Sequence, residues 1–175
     1  LEAFKIGSGD ITWHEIIKHI ASKGKPYIIA TGASNENDVD EIIKIASNIN
    51  KKICVMQCNT NYTASYKNYS YINLRYLTNL KKNFPNLILG LSDHTHGHAT
   101  VLGAIALGAK VVEKHFTLSN KLDGPDHKFS MTPKTWKEMI DRSKELELSL
   151  GDGIKKIEDN ELETVILQRR SLRIN

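Results

Sequence analysis

Cysteine is scarce in this chain of 175 residues, which contains only Cys54 and Cys58. On a strand, two residues four apart share a face but lie about 13 Å from each other, too far for a disulfide. They read as reduced thiols in a cytoplasmic protein, and a disulfide-stapled secreted scaffold is excluded. No apolar run approaches the ~20 residues of a membrane-spanning helix, and no secretory segment opens the chain. Aromatics are sparse at 7% and do not interleave with basic runs, so neither a membrane nor a nucleic acid is an expected partner. A net charge of +4 spread over helical lysines such as Lys18, Lys44 and Lys52 describes a solvated face, and it suits a small anionic substrate equally well. Forty per cent apolar and 25% charged residues describe a soluble globular chain, long enough for one domain with a sizeable core.

The order of elements is a repeated strand–helix alternation. Strands are expected at Ala3–Ile6, Tyr27–Ala30, Ile53–Gln57, Leu87–Leu91 and Ala109–Val112. Helices are expected over Trp13–Ser22 with Thr12 as cap and Glu15 completing a capping box, and over Glu36–Ile49 with Ser34 as cap. Further helices follow over Ile72–Asn83, after a loop-like Thr63–Tyr71, and over Thr100–Leu107. A last long helix runs to Leu150, with Thr132 as cap and Pro133 in its first turn. Strands starting every 22 to 34 residues signal a parallel sheet with crossover helices. Polar residues gather after each strand's carboxyl end, as in a TIM barrel. Five units fall short of eight, so the choice lies between an open doubly wound sheet and part of a barrel. The abrupt opening on a buried-type strand favours an α/β partial (β/α)8 barrel of about five units.

The stretch from Asn86 to Met131 carries the chemistry. Its two strands run into Ser92-Asp93-His94 and Glu113-Lys114-His115, which neighbouring parallel strands deliver to one crevice. A single histidine is commonly a structural hydrogen-bonding residue. Two at equivalent strand ends, with carboxylates beside them, point to a divalent metal with open positions. His96 and His98 compete for that role but suit a helix entry, while His14 and His19 read as surface residues. Gly124-Pro125-Asp126-His127 adds a third polar cluster. Lys5 and Ser8, in a Lys-Ile-Gly-Ser-Gly turn, can hold a phosphate, although a tight βα loop explains the glycines too. Lysine within an apolar strand demands a partner. Asp10 is either a general base or a turn acceptor. Asn59, Thr60, Asn61 and Tyr62 form a hydrogen-bonding rim, and Cys58 reads as a packed small residue.

With these motifs in order, the chain resembles the sialic acid synthase family, the phosphoenolpyruvate-dependent nonulosonate synthases. The resemblance rests on KIGSGD at Lys5–Asp10, KPYIIATGAS at Lys25–Ser34 and QCNTNY at Gln57–Tyr62. It continues through GLSDHT at Gly90–Thr95, GAIALGAKVVEKHFT at Gly103–Thr117 and GPDHKFSM at Gly124–Met131. It implies condensation of phosphoenolpyruvate with an N-acetylmannosamine-type sugar to give a nonulosonate and phosphate. His94 and His115 would ligate manganese, magnesium or cobalt. Lys5, Ser8, Thr60 and Ser92 would bind phosphoenolpyruvate, and Tyr62, Glu113 and Asp126 the sugar. Asp10 and Lys5 would be catalytic, Asp10 by activating water. The nearest alternatives are another metal-dependent aldolase or phosphoenolpyruvate-condensing synthase on the same barrel, or an inactive fragment that serves as an assembly partner.

The sequence also departs from the family's commoner pattern. Asp10 stands where many members carry glutamate, Ala30 where many carry serine, and Asn59-Thr60-Asn61 with Thr63 replaces a threonine-serine-asparagine-tyrosine-proline run. These variants look closer to the legionaminate or sialate branch than to the pseudaminate branch. The resemblance further implies that residues 1–155 are the C-terminal part of a catalytic barrel. Residues 156–175 would be a linker, through Arg169-Arg170-Ser171-Leu172, toward an antifreeze-like domain, in a domain-swapped homodimer. This fragment alone is expected to be inactive.

Overall fold

A computed structural model describes residues 1–170. Five parallel strands, β1 (Phe4–Ile6), β2 (Tyr27–Ala30), β3 (Ile53–Cys58), β4 (Ile88–Asp93) and β5 (Val111–Lys114), lie side by side in sequence order. Helices α1 (His14–Ala21), α2 (Glu36–Ile49), α3 (Tyr76–Asn83), α4 (Ala99–Ala106) and α5 (Pro133–Leu150) return the chain across one face, and a short α6 (Leu162–Gln168) follows. Among the described residues, no helix is long and apolar enough to cross a membrane.

Register identifies the sheet as half of a barrel. Lys5 is level with Ile28, Cys54 and Ile88 across three ladders, whereas Glu113 is level with Ser92, four residues beyond Ile88. In a flat sheet, strands four places apart stand about 19 Å from each other. Yet the Lys5 ammonium on β1 sits 2.9 Å from the Glu113 carboxylate on β5. An eight-stranded barrel of shear eight places strands four apart on opposite walls, shifted by about four residues. Four interstrand steps at a tilt of about 36° climb about 11 Å along the axis, as do about four residues, so the two side chains reach the same height.

Alternation then divides the strands into two faces. Tyr27, Ile29, Val55, Leu89 and Leu91 point outward and are buried against Ile17, Val39, Ile42, Ile43, Leu77 and Leu80 of the helices. The other face, bearing Lys5, Cys54, Cys58, Ser92 and Glu113, lines the barrel interior. There Ile88 is 48% exposed. Position 90 falls on this face by alternation, and a Cβ there would come within 2.8 Å of Met56 Cγ and 2.9 Å of the Val111 carbonyl oxygen, which favours glycine.

Several boundaries differ from the sequence-based expectation. Thr12 does not cap α1: a 3-10 turn at Ser8–Asp10 leads in, the Trp13 N–H donates to the Asp10 carbonyl, and the cap position falls on Trp13. Ser34 donates to the Gly32 carbonyl, and Asn35 caps α2 instead, in a reciprocal box with Asp38. The helix expected from Ile72 starts at Tyr76 because Asn73 takes a left-handed φ of 50°, and Tyr66–Tyr71, expected as loop, forms a 3-10 turn. Strands β4 and β5 run two residues further than their apolar runs, through Asp93 and Lys114. The expected cap at Thr132 is present, with Thr135 as its partner. Of the hinge Arg169-Arg170-Ser171-Leu172, the last two residues lie outside the described residues.

Candidate active site

The carboxyl ends of the strands gather two clusters. The first lies inside the barrel. Lys5 Nζ and Ser92 Oγ both donate to Glu113 Oε1, at 2.9 and 2.8 Å. Burial alone would raise the Glu113 pKa, but hydrogen bonds from Lys5 and Ser92, with the lysine charge, hold the carboxyl below its usual range. Both donors use the same oxygen, so Oε2 has no protein donor among the described residues. The Lys5 ammonium likewise keeps two of its three hydrogens. This cluster answers the demand for a partner that a lysine in an apolar strand makes. Beneath it, burial pushes the Cys54 thiol up to about 11, and the nearby Lys5 charge offsets part of that.

Ser8 and Thr60 meet over Gly32. The Gly32 N–H donates to Ser8 Oγ at 3.0 Å, and a Cβ on Gly32 would lie 2.5 Å from Thr60 Cγ2, 2.8 Å from Ser8 Oγ and 3.1 Å from Cys58 Sγ. By contrast, a Cβ on Gly7 or Gly9 would meet nothing within 4 Å, so the turn after β1 leaves open space above it. Asp10 ends this turn, exposed and with no side-chain partner among the described residues; no contact joins it to the Lys5–Ser92–Glu113 cluster.

The second cluster is aromatic. His94 and His115, at neighbouring strand ends, have ring centroids 5.1 Å apart. Tyr62 lies 4.2 Å from His94, and Phe129 contacts His94, His115 and Tyr62 edge-on. His94 Nδ1 stands 2.9 Å from the Asn59 carbonyl. A carbonyl can only accept, so Nδ1 carries the proton and Nε2 presents its lone pair. Burial lowers the His94 pKa and favours that neutral form. His115 Nδ1 faces the Asp126 carboxylate, 3.5 Å from Oδ2. Two imidazoles, each facing an oxygen through Nδ1, are the arrangement that metal-binding histidines take, so the donor set fits a divalent ion with open positions. Among the described residues, no set of three or more His, Cys, Asp or Glu side chains is gathered to hold one outright. Burial raises the Tyr62 hydroxyl pKa, with Cys58, Asp126 and Glu113 adding to the effect.

Asp126 is held in place by its loop. Ser130 Oγ donates to the Asp126 carbonyl at 2.6 Å, and His127 Nδ1 pairs with Thr117 Oγ1 at 2.7 Å. Asn120 donates to the His127 and Ser130 carbonyls. Gly124 turns the chain with φ of 142°. Of the rival histidines, His98 occupies the cap position of α4 without a side-chain capping bond, and His96 pairs with the Ala64 carbonyl and ties that loop down.

The structure thus brings Lys5, Ser92 and Glu113 together, sets Ser8 beside Thr60, and groups Tyr62, His94, His115 and Asp126. Reading the sequence missed Phe129, the Asn59 carbonyl and the Thr117–His127 pair. It also missed Lys114, which donates to Asp93 at 2.6 Å with side chains 1% and 0% exposed. The signal for that pair was present: opposite charges immediately precede the two histidines.

A family model described as the NeuB family matches residues 1–155. The chain is 38% identical over 175 residues to N,N'-diacetyllegionaminic acid synthase of Campylobacter jejuni, covering 98% of this chain and 51% of that protein. It is 37% identical over 177 residues to the enzyme of the same name from Legionella pneumophila, covering 98% and 49%. Among solved structures, N-acetylneuraminic acid synthetase of Leptospira borgpetersenii superposes with a TM-score of 0.84 at 25% identity, over 96% of this chain and 57% of that one. The chain spans about half the length of the curated relatives it matches.

Proposed function

Since the chain belongs to the NeuB family, we propose that it supplies part of the active site of a phosphoenolpyruvate-condensing synthase. The sugar substrate is of the N-acetylmannosamine type, and the products are a sialic- or legionaminic-type nonulosonate and phosphate. The observation that carries this reading is the meeting of Lys5, Ser92 and Glu113 inside the barrel beside the paired imidazoles. A site for phosphoenolpyruvate needs cations and hydroxyls for an anion, and a sugar site needs acceptors for hydroxyls. Lys5 of β1, Ser92 of β4 and Glu113 of β5 offer both kinds of group on one side of the sheet.

The two unused hydrogens of Lys5, the Ser8 hydroxyl and the open turn above Gly7 and Gly9 receive the phosphate. Thr60 and Ser92 lie toward the carboxylate. Glu113 Oε2 and Asp126 accept from sugar hydroxyls, and Tyr62 walls the pocket. Manganese, magnesium or cobalt on Nε2 of His94 and His115 supplies, when bound, Lewis-acid polarisation of the sugar aldehyde. The methylene carbon of phosphoenolpyruvate bonds to the aldehyde carbon, whose oxygen takes up a proton. Asp10, exposed and without a side-chain partner among the described residues, takes the proton from the water that adds to the phosphate-bearing carbon. Phosphate departs with its charge met by Lys5.

Residues 1–155 belong to the catalytic barrel on this reading, and 156–175 lead to an antifreeze-like domain in a domain-swapped homodimer in the cytoplasm. Nearly every residue from 151 to 170 is exposed, including Ile166 and Leu167 on α6, which suits a segment that packs elsewhere.

The test is phosphate release by the longest natural chain that carries these residues, with phosphoenolpyruvate, manganese and N-acetylmannosamine, beside His115→Ala. Release that disappears in the variant is expected. Release only with a diacetamido hexose keeps the chemistry and changes the sugar, whereas none with any acylated hexose overturns the proposal.

A further inference from the structure

Asp93 and Lys114 are partners in the last ladder position of β4 and β5, and each immediately precedes a histidine of the site. Alternation turns His94 and His115 into the barrel and sends Asp93 and Lys114 outward, toward α4. The ammonium donates to Asp93 Oδ2 at 2.6 Å and to the Thr95 carbonyl at 2.7 Å. It therefore grips the residues on both sides of His94, while its own backbone leads directly into His115. Asp93 is saturated in turn: Oδ2 accepts from Thr100 at 2.6 Å and from the Thr95 hydroxyl at 2.8 Å, and Oδ1 accepts from the Thr95 N–H at 3.1 Å. A sealed ion pair is a poor device for stability alone, because well-packed apolar residues of similar volume commonly serve as well or better. What this one supplies is a fixed distance between two strand ends where the ladder stops holding them.

We infer that Asp93 and Lys114 are positioning residues whose ion pair sets the spacing of the His94 and His115 imidazoles, and with it their affinity for a divalent cation. The inference rests on the reading of those histidines as metal ligands. Its test uses the longest natural chain, titrated metal-free with manganese in a calorimeter and loaded separately with cobalt for visible absorption. Asp93→Asn with Lys114→Met removes both charges while keeping an acceptor for Thr95 and the length of the lysine. The thermal midpoint of the metal-free double variant should stay near that of the parent. Its manganese dissociation constant should rise about 10- to 100-fold, as outer-shell changes do, with an altered cobalt spectrum. A native constant and a native spectrum overturn the positioning role. Should the double variant not fold, Asp93→Glu keeps the charge pair but lengthens it by one methylene, and is read against the same two outcomes. His115→Ala separates the two layers of the argument. If it too binds manganese normally, the metal-centre reading fails; if it loses the metal while the double variant does not, only the positioning role fails.

Discussion

Two lysine–carboxylate pairs tie this half-barrel together, and they are built to opposite specifications. Lys5–Glu113 crosses the barrel interior with side chains 33% and 44% exposed; Lys114–Asp93 lies between sheet and helix at 1% and 0%. The first leaves a carboxylate oxygen and two ammonium hydrogens without partners among the described residues, so it can exchange contacts with an incoming anion or hydroxyl. The second saturates Asp93 with threonine donors, so it has nothing to offer a ligand. On the proposed reading, similar chemistry serves recognition on one face of the sheet and rigidity on the other. The deciding variable is which side of the strand a residue falls on.

The most severe way to test that division is to cut the sealed pair alone. Lys114→Met leaves the Asp93 carboxylate buried without its cation, and removing one partner of a buried pair commonly costs about 3–5 kcal/mol. Denaturant unfolding should show a loss of that order. Lys5→Met, which breaks the exposed pair, should cost at most about 1 kcal/mol. Equal losses would mean that exposure does not separate the two. A smaller effect is expected from Gly90→Ala. Its new methyl meets Met56 Cγ at 2.8 Å and the Val111 carbonyl at 2.9 Å, and the carbonyl cannot swing away as a side chain would. Overpacking of this kind commonly costs about 1–3 kcal/mol. Thermal melts that match the parent would show that the interior face has slack that the structure does not.

Much of this was legible in the sequence, and the limits have physical causes. The strand–helix cadence, Thr132 and Pro133 at the start of α5, and the pairing of His94 with His115 follow from period, capping chemistry and equivalent strand ends. Strand termini were misjudged because Asp93 and Lys114 look like loop residues until each is seen to satisfy the other across a ladder. Curvature was hidden for a similar reason. Lys5 and Glu113 are 108 residues apart, and nothing local indicates that they meet. Phe129 reads as an ordinary loop aromatic, and only the folded loop turns it against both imidazoles. The caps at Asn35 rather than Ser34, and at Trp13 rather than Thr12, turn on a competing turn hydrogen bond that composition cannot weigh.

The finest discrimination between the two pairs is electrostatic and should be seen in acid. The Glu113 carboxyl sits below its ordinary value of 4.5 in the folded chain, because the Lys5 and Ser92 hydrogen bonds outweigh the effect of burial. A group with a depressed folded pKa contributes stability that is fully present above its unfolded pKa and is lost as pH falls through the folded one. Parent and Glu113→Gln, both metal-free, should therefore differ by a constant amount from pH 7 down to about 5. The difference should shrink below 4.5, because the glutamine has no proton to take up. Since both partners are about a third or more exposed, the gap should also narrow as salt is added. A difference between parent and variant that stayed flat from pH 7 to pH 3 would mean that Glu113 owes nothing to Lys5 and Ser92. Its place in the interior would then reflect packing rather than charge.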